Sequence, residues 1–332
     1  MPLTPSIKPL AQKDLLSLSS LSAGEINRLF TTAADFKSNP GDYLHSLEGK
    51  VIVLLFEKDS LRTLVSFEAG MARLGGKAVY LDHRTNRIGT REPVRDYAKN
   101  LERWTDAIVA RTYAHSTIEE LASNARIPVI NALSDLYHPC QALADFFTLH
   151  ERFGKLSDVR LAYVGDGNNV CHSLMLGAAK LGALLTVITP RGYEPLPRVV
   201  EEAGGFAKGS DGKITLTNDM HAVAGHHAVY TDTWASMGQE QEIEKRLRAF
   251  AGYQVTAEVM SAAAPHAVFM HCLPAHRGQE VAAEVIDSPA SIVYDQAENR
   301  MHVQNALLLH LLAGSSGTSA AKRSSKPVAV SR

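Results

Sequence analysis

The sequence predicts an α/β protein made of two doubly wound parallel-sheet domains. Short runs rich in β-branched and other apolar residues recur along the chain, and segments with helical periodicity separate them. Such alternation is typical of parallel sheets that carry helices on both faces. The length of 332 residues fits two domains of ordinary size, each large enough to bury its own core.

Nine strands are expected, four in the first half of the chain and five in the second. The first four are VIVLLF (51–56), KAVYLD (77–82), DAIVAR (106–111) and PVINAL (128–133). The other five are RLAYVG (160–165), LLTVIT (184–189), AVYTD (228–232), AVFMHCL (267–273) and SIVYDQ (291–296). We expect one domain over 1–150 and a second over 151–313, whose last helix, at about 298–313, packs back against the first domain. The small, polar, basic tail over 314–332 is predicted to be disordered.

The composition excludes several classes of function. Lys+Arg 34 against Asp+Glu 35 leaves a formal charge of −1, so no basic excess points to nucleic acid or to an anionic membrane. No apolar run is long enough to span a bilayer, and the N-terminus lacks the pattern of a signal peptide. Three scattered cysteines do not make a disulfide framework. We therefore expect a cytoplasmic protein.

The stretch FEKDSLRT suggests an anion-binding loop. It joins a buried strand to a helix at the carboxyl edge of the sheet, where open α/β sheets bind their ligands. The helix N-terminus offers free N–H groups, Ser60 and Thr63 add hydroxyls, and Arg62 adds a planar fork suited to phosphate. An N-cap serine beside an exposed arginine explains the same residues equally well.

Three further residues favour the anion-binding interpretation. Arg111 comes just after a strand, and His138 precedes Pro139 at the start of a helix that also carries Gln141 in its first turn. All three are expected at strand carboxyl ends of the same domain, facing the same crevice as Arg62.

The second domain places polar groups at matching positions. GDGNNV resembles a dinucleotide-binding turn, but Val170 stands where the third glycine belongs, which leaves a nicotinamide-dependent dehydrogenase as a distant alternative. Asn168 and Asn169 are interpreted instead as amides that face a small polar ligand. Further polar groups follow the later strands: Asp232, Ser236, Met237 and Cys272.

Metal and nucleophile chemistry are disfavoured. His138 with Cys140, and His271 with Cys272, lack the paired spacing of zinc ligands, so no metal is expected. Neighbouring side chains on a strand point to opposite faces, which makes His271 a poor base for Cys272. A hydrolase with a cysteine nucleophile remains an alternative.

Seven ordered motifs resemble those of the ornithine carbamoyltransferase family. They are SLRT, ARTYAH, HPCQALAD, GDGNN, DTWASMGQE, HCLPAHRG and AENRMHVQNALLLHLL, and they span roughly residues 48–313. The resemblance implies a carbamoyl-phosphate domain and an ornithine domain joined by interdomain helices. It also implies a homotrimer whose active sites lie between the domains and near a subunit interface, with no cofactor.

The same resemblance implies roles for individual residues. Carbamoyl phosphate would be bound by Ser60, Leu61, Arg62, Thr63, Arg111, His138, Gln141 and Arg300. Ornithine would be bound by Asn169, Asp232, Ser236, Met237, Cys272 and Leu273. Arg111, His138, Asp232 and Cys272 would act on the reacting groups.

The sequence departs from the family pattern at three positions. Leu61 lacks the hydroxyl that the family often has at this position and keeps only its backbone N–H as a donor. Leu64 lacks a charge and lies on the apolar stripe of its helix, where a packing role is expected. Arg87 stands where the family commonly has glutamine, in a loop that reaches the neighbouring subunit. We expect Arg87 to add a contact to carbamoyl phosphate there.

These observations favour the transfer of a carbamoyl group from carbamoyl phosphate to ornithine. Carbamoyltransferases that act on N-acetylornithine, N-succinylornithine or putrescine are the near alternatives. A binding protein built on the same fold is the non-enzymatic alternative, against which the intact polar residues argue.

Overall fold

The computed structural model describes residues 7–235 and 242–312. The first sheet contains four parallel strands in the order β2-β1-β3-β4. They are β1 (Val51–Phe56), β2 (Lys77–Asp82), β3 (Ala107–Arg111) and β4 (Val129–Leu133). The helices of this part are α1 (Ala23–Ser38), α2 (Leu61–Arg73), α3 (Val94–Trp104) and α4 (His115–Asn124).

The strand β1 shows why helices cover both faces of this sheet. Ile52 and Leu54 pack into a core with α1 and α2, whereas Val53 and Leu55 pack into a separate core with α3 and α4. Side chains alternate between the faces of a strand, so a continuous apolar run needs a helical layer on each side. The predicted doubly wound architecture is confirmed here.

The second sheet contains five parallel strands in the order β7-β6-β5-β8-β9. They are β5 (Arg160–Val164), β6 (Leu184–Ile188), β7 (Lys213–Thr217), β8 (Ala228–Thr231) and β9 (Val268–His271). The helices of this part are α6 (Asn169–Leu181), α7 (Pro197–Ala207), α8 (Ile243–Phe250), α9 (Ala257–Ala262) and α10 (Ala283–Ile286).

Two long helices connect the sheets. They are α5 (Pro139–Phe153) and α11 (Val293–Leu312), which pack against each other. The helix α5 also contacts α6 of the second domain, and α11 contacts α1 and α2 of the first. One apolar core therefore continues from the first sheet, through these helices, to the second sheet.

Two predictions about elements were wrong. The edge strand β7 was missed because KITLT is mostly exposed and lacks an apolar run. The strand expected over 291–296 does not form: Ser291 makes one isolated bridge to Phe269, and α11 begins at Val293 rather than near 298. Burial of that segment against α5 and β9 determines its conformation. The predicted tail lies outside the described residues, and no described helix is long and apolar enough to cross a membrane.

Candidate active site

A cavity of about 650 Å³ lies at the carboxyl ends of strands from both sheets. The strands β1 and β3 lead into it from the first domain, and β8 and β9 lead into it from the second. Among the residues that line it are Ser60, Leu61, Arg62, Arg111, His138, Gln141, Asn169, Asp232, Cys272, Leu273 and Arg300. The topology thus joins residues that are far apart in the sequence.

The N-terminus of α2 forms one wall of the cavity. Ser60 is the N-cap, and its Oγ accepts from the Thr63 N–H at 3.1 Å while donating to Thr63 Oγ1 at 2.8 Å. The same Thr63 oxygen accepts from Arg300 Nη2 at 2.8 Å. Arg62 is half-buried and lines the cavity. The capping and anion-binding interpretations of SLRT are therefore compatible, since the residue that caps α2 also lines the cavity that holds Arg62, Arg111 and Arg300.

Three guanidinium groups converge on this wall. Burial and the positive charges of Arg300 and Arg62 lower the pKa of Arg111 to about 9, and burial likewise lowers the pKa values of Arg62 and Arg300. The Nε atoms of Arg111 and Arg300 are buried and have no hydrogen-bond partner among the described residues. Desolvated cations that repel one another favour a bound anion, which would pair with all three.

The N-terminus of α5 supplies two neutral groups. Pro139 stands in the first turn, and His138 is the N-cap, held by its N–H to Ser173 Oγ at 2.8 Å. Burial and the three arginines lower the pKa of His138 well below its usual value, so the imidazole is neutral. Gln141 donates from Nε2 to Asp145 Oδ1 at 2.8 Å, and its buried Oε1 has no described partner.

The opposite wall carries the carboxylate of Asp232. Its Oδ2 accepts from Asn168 Nδ2 at 2.8 Å, and its Oδ1 accepts from the Thr233 N–H at 2.8 Å and from Cys272 Sγ at 3.0 Å. Burial and Asp232 raise the pKa of the Cys272 thiol well above its usual value. Asn169 donates from Nδ2 to the Ser134 carbonyl at 2.5 Å. This wall therefore offers an anion and amide groups.

Leu273 follows the end of β9 in a rare backbone conformation. Its φ of 59° lies in the left-handed region, and its N–H donates to His271 Nδ1 at 2.8 Å. The other nitrogen of His271 lies 3.3 Å from Glu280 Oε1. Strained residues of this kind cluster at functional sites.

One group of potential metal ligands occurs among the described residues. Donor atoms of Asp232, His271 and Cys272 lie within 4.8 Å of one another. Because the Leu273 N–H occupies Nδ1 of His271 and Glu280 faces its Nε2, the imidazole is already engaged within the protein. No metal is assigned to this group.

The structure places most predicted site residues together, with four exceptions. Ser236 and Met237 lie outside the described residues. Arg87 is exposed, with its Cζ 4.2 Å from the centre of the Tyr113 ring, and does not line the cavity of its own chain. Asn168 was expected to face a ligand, but its Oδ1 caps α6 and its Nδ2 holds Asp232.

Several lining residues were not predicted. Lys58 lines the cavity and lies 4.4 Å from the Tyr113 ring centre, and its place directly before DSLRT could have indicated it. Trp234 and Arg246 also line the cavity. Arg246 lies within helix α8, far from any strand end, so no sequence signal could have placed it.

Comparisons with known proteins agree on one family. Residues 13–151 match the family model described as "Aspartate/ornithine carbamoyltransferase, carbamoyl-P binding domain". Residues 157–311 match the model described as "Aspartate/ornithine carbamoyltransferase, Asp/Orn binding domain".

Curated relatives and solved structures give the same result. The chain is 54% identical over 301 residues to ornithine carbamoyltransferase of Shewanella oneidensis, covering 91% of this chain and 100% of that protein. It is 51% identical over 301 residues to the Bacillus subtilis protein of the same name, covering 90% and 94%. The solved structure of ornithine carbamoyltransferase from Pyrococcus furiosus superposes with a TM-score of 0.89 at 48% identity, covering 93% of this chain and 99% of that one.

Proposed function

Since this chain belongs to the aspartate/ornithine carbamoyltransferase family, we propose that it transfers the carbamoyl group of carbamoyl phosphate to the side-chain amine of L-ornithine. The products are L-citrulline and phosphate. The observation that carries the proposal is the cavity itself, in which the N-terminus of α2 and three arginines share a lining with the Asp232–Cys272 pair of the second domain.

Carbamoyl phosphate binds on the first-domain wall. Its phosphate lies at the N-terminus of α2, held by Ser60, Arg62, Thr63, Arg300 and the backbone N–H of Leu61. Arg111 bridges the phosphate and the carbonyl oxygen, while His138 and Gln141 hold the carbamoyl end. The buried, unpaired Nε atoms of Arg111 and Arg300 support this assignment, because such donors need an acceptor, which an anionic ligand supplies.

Ornithine binds on the second-domain wall. Asp232 and Asn169 hold its α-amino and α-carboxylate groups together with Ser236 and Met237. The last two residues lie outside the part of the chain that the structure describes. Cys272 and the carbonyl of Leu273 orient the side-chain amine. Asp232, whose two carboxyl oxygens are held by three donors, supports recognition of a cationic group there.

The uncharged amine attacks the carbamoyl carbon, a C–N bond forms and the bond to the phosphate oxygen breaks. The proton that the attacking nitrogen loses leaves with the phosphate. Negative charge develops on the carbonyl oxygen, where Arg111, His138 and Thr63 donate; one such donor is worth about 3–4 kcal/mol. Holding the two substrates in attack geometry contributes a further ~7–11 kcal/mol. Because burial keeps the Cys272 thiol protonated, it aligns the amine rather than forming a covalent intermediate.

The active form is a homotrimer. Apolar side chains are exposed on the edge strand β2, at Val79 and Leu81, and on α2, at Leu61 and Val65. Exposed apolar groups along a sheet edge are typical of a surface that a partner covers. Sedimentation of the purified protein checks this assignment, and a monomer that retains full activity would contradict it.

The enzyme acts in the cytoplasm in arginine biosynthesis. All three cysteines are free thiols, which suits a reducing compartment. Restoration of growth without arginine in a bacterial strain that lacks this activity tests the biosynthetic role.

Phosphate release from carbamoyl phosphate, measured with a panel of amines, tests the proposed reaction. The panel is ornithine, N-acetylornithine, N-succinylornithine, putrescine and aspartate. We expect turnover with ornithine, with citrulline as the product, and no turnover with the other four amines. Turnover with another amine would be consistent with the assigned carbamoyl-phosphate site but would contradict the assignment of the second-domain wall to ornithine.

A further inference from the structure

A chain of buried hydrogen bonds joins the two walls of the active site. Asp145 lies one turn beyond Gln141 on α5, and Gln296 lies near the start of α11. Both are fully buried, at 0% and 1% exposure, and neither borders the cavity. Together with Gln141 and the backbone of His271, they form a continuous series of donors and acceptors.

One backbone N–H group determines the direction of every hydrogen bond in this series. The N–H of His271 donates to Gln296 Oε1 at 3.0 Å, and a backbone N–H can only donate. The Gln296 amide must therefore present its Nε2 at the other end, where it donates to Asp145 Oδ1 at 2.6 Å. Asp145 Oδ1 is thus fixed as an acceptor.

This fixed acceptor determines the orientation of the Gln141 amide. Gln141 Nε2 donates to the same Asp145 oxygen at 2.8 Å. With Asp145 ionised, the state that its hydrogen bonds from Gln141 and Gln296 favour against burial, a reversed amide would place Gln141 Oε1 against an oxygen that already accepts from Gln296. Two lone pairs would then be in contact inside the buried core. Gln141 Oε1 is consequently held at the cavity as a buried acceptor without a described partner.

We propose that Asp145 and Gln296 are positioning residues that hold the Gln141 oxygen toward the amino group of carbamoyl phosphate. The inference rests on the proposed function, since it concerns recognition of that substrate's NH₂ group. A buried acceptor selects an amide donor over a methyl group, because the methyl leaves the acceptor unpaired. The backbone N–H of His271, the residue before Cys272, sets the direction of these hydrogen bonds. A group on the ornithine side of the cavity therefore determines which end of the Gln141 amide faces carbamoyl phosphate.

Binding of two acyl phosphates isolates this recognition. Acetyl phosphate differs from carbamoyl phosphate only in carrying CH₃ in place of NH₂. Equilibrium titrations followed by tryptophan fluorescence, using Trp234 in the cavity wall, give a dissociation constant for each. The ratio of the two constants reports the amino group alone, whereas the shared phosphate contacts cancel. The wild-type protein is expected to prefer carbamoyl phosphate about tenfold or more.

Substitutions at Asp145 separate positioning from packing. Asp145→Leu removes the acceptor at similar size and should lower the preference for carbamoyl phosphate over acetyl phosphate about tenfold. Gln141→Leu should lower it by a similar factor, and the double variant should show no further loss. Asp145→Asn keeps an oxygen that accepts from both glutamines and should retain the preference within about threefold. If Asp145→Leu does not fold, Asp145→Thr replaces it, because its hydroxyl no longer dictates the direction of the bond.

A matched control is available on the same helix. Thr148 accepts from Asn299 Nδ2 of α11 at 3.0 Å, so Thr148→Val removes a buried α5–α11 hydrogen bond without touching Gln141. It should lower stability and leave the preference unchanged. Equal weakening of both ligands by Asp145→Leu, or loss of preference in Asp145→Asn, would overturn the proposal. Because the test measures binding, it remains informative if ornithine turnover fails.

Discussion

The thiol of Cys272 is held as a neutral donor, and this determines what its replacement should do. We expect Cys272→Ser to lower kcat/KM for ornithine about 10–100-fold and to leave the KM for carbamoyl phosphate nearly unchanged. The loss should not exceed this range because the serine hydroxyl can still donate to Asp232. Steady-state kinetics with each substrate varied in turn measure both effects. A loss of about 10⁴-fold or more in kcat would instead indicate a nucleophile.

Leu64 departs from the family pattern yet lies away from the cavity. It is half-buried and packs against the core beneath α2. We expect Leu64→Arg to change kcat and both KM values by less than about twofold, with a loss of about 1 kcal/mol of stability from reduced apolar burial. Kinetics and urea denaturation check this. A large gain in affinity for carbamoyl phosphate would show that the position belongs to the substrate site.

At the scale of single residues, the sequence indicated polar groups that follow strands or begin helices. Ser60, Arg111, His138 and Asp232 were found in this way, because strand ends and helix caps have local signatures. Asp145 and Gln296 could not be found, since both are interior positions of helices that meet only in the tertiary structure. The sequence does not reveal that the Asn168 side chain also caps α6 and holds Asp232.

At the scale of elements, the glycines of GDGNN serve the backbone rather than a dinucleotide. Gly165 has a φ of 145°, and a Cβ on Gly167 would lie 2.3 Å from the Pro195 nitrogen and 2.4 Å from the Glu194 carbonyl carbon. The loop before α7 therefore packs directly on the turn that begins α6. The positive φ explains Gly165 and this close approach explains Gly167, and Val170 needs no third glycine.

Gly167→Ala should consequently displace the start of α6. We expect a loss of about 1–3 kcal/mol in the free energy of unfolding, because the new methyl group meets backbone atoms that cannot rotate away. The KM for ornithine should rise more than that for carbamoyl phosphate, since Asn168 and Asn169 belong to this turn. Gly205→Ala, which meets no atom within 4 Å, is the control. Equal stability of the two variants would contradict the packing argument.

Elements with a continuous apolar run were predictable, and elements decided by their neighbours were not. VIVLLF and RLAYVG form the strands β1 and β5 because burial on both faces demands such runs. The edge strand β7 is stabilised by pairing with β6, which its composition does not reveal. SIVYDQ has the composition of a strand but joins α11, whose buried positions continue to Leu312.

At the scale of the whole molecule, the loop over 83–92 is the part that we expect to act between the subunits of the proposed trimer. Most of its residues are exposed, and Arg87 lies outside the cavity of its own chain. We expect Arg87→Gln to raise the KM for carbamoyl phosphate about 3–10-fold with little change in kcat, because one cation is lost from a neighbouring phosphate site. Arg91→Gln, in the same exposed loop, should leave both constants unchanged. An unchanged KM in Arg87→Gln would remove the proposed contact.

Mixed oligomers distinguish a contact between subunits from one within a chain. We expect Arg111→Leu to inactivate a subunit's own phosphate site and to leave its Arg87 loop intact. If Arg87 acts on the neighbouring subunit, trimers assembled from Arg87→Gln and Arg111→Leu chains contain sites in which an intact cavity receives an intact Arg87. Such mixtures should regain a fraction of active sites with the wild-type KM for carbamoyl phosphate. If Arg87 acts only through Tyr113 of its own chain, no site in the mixture combines both groups, and the KM stays at the value of Arg87→Gln.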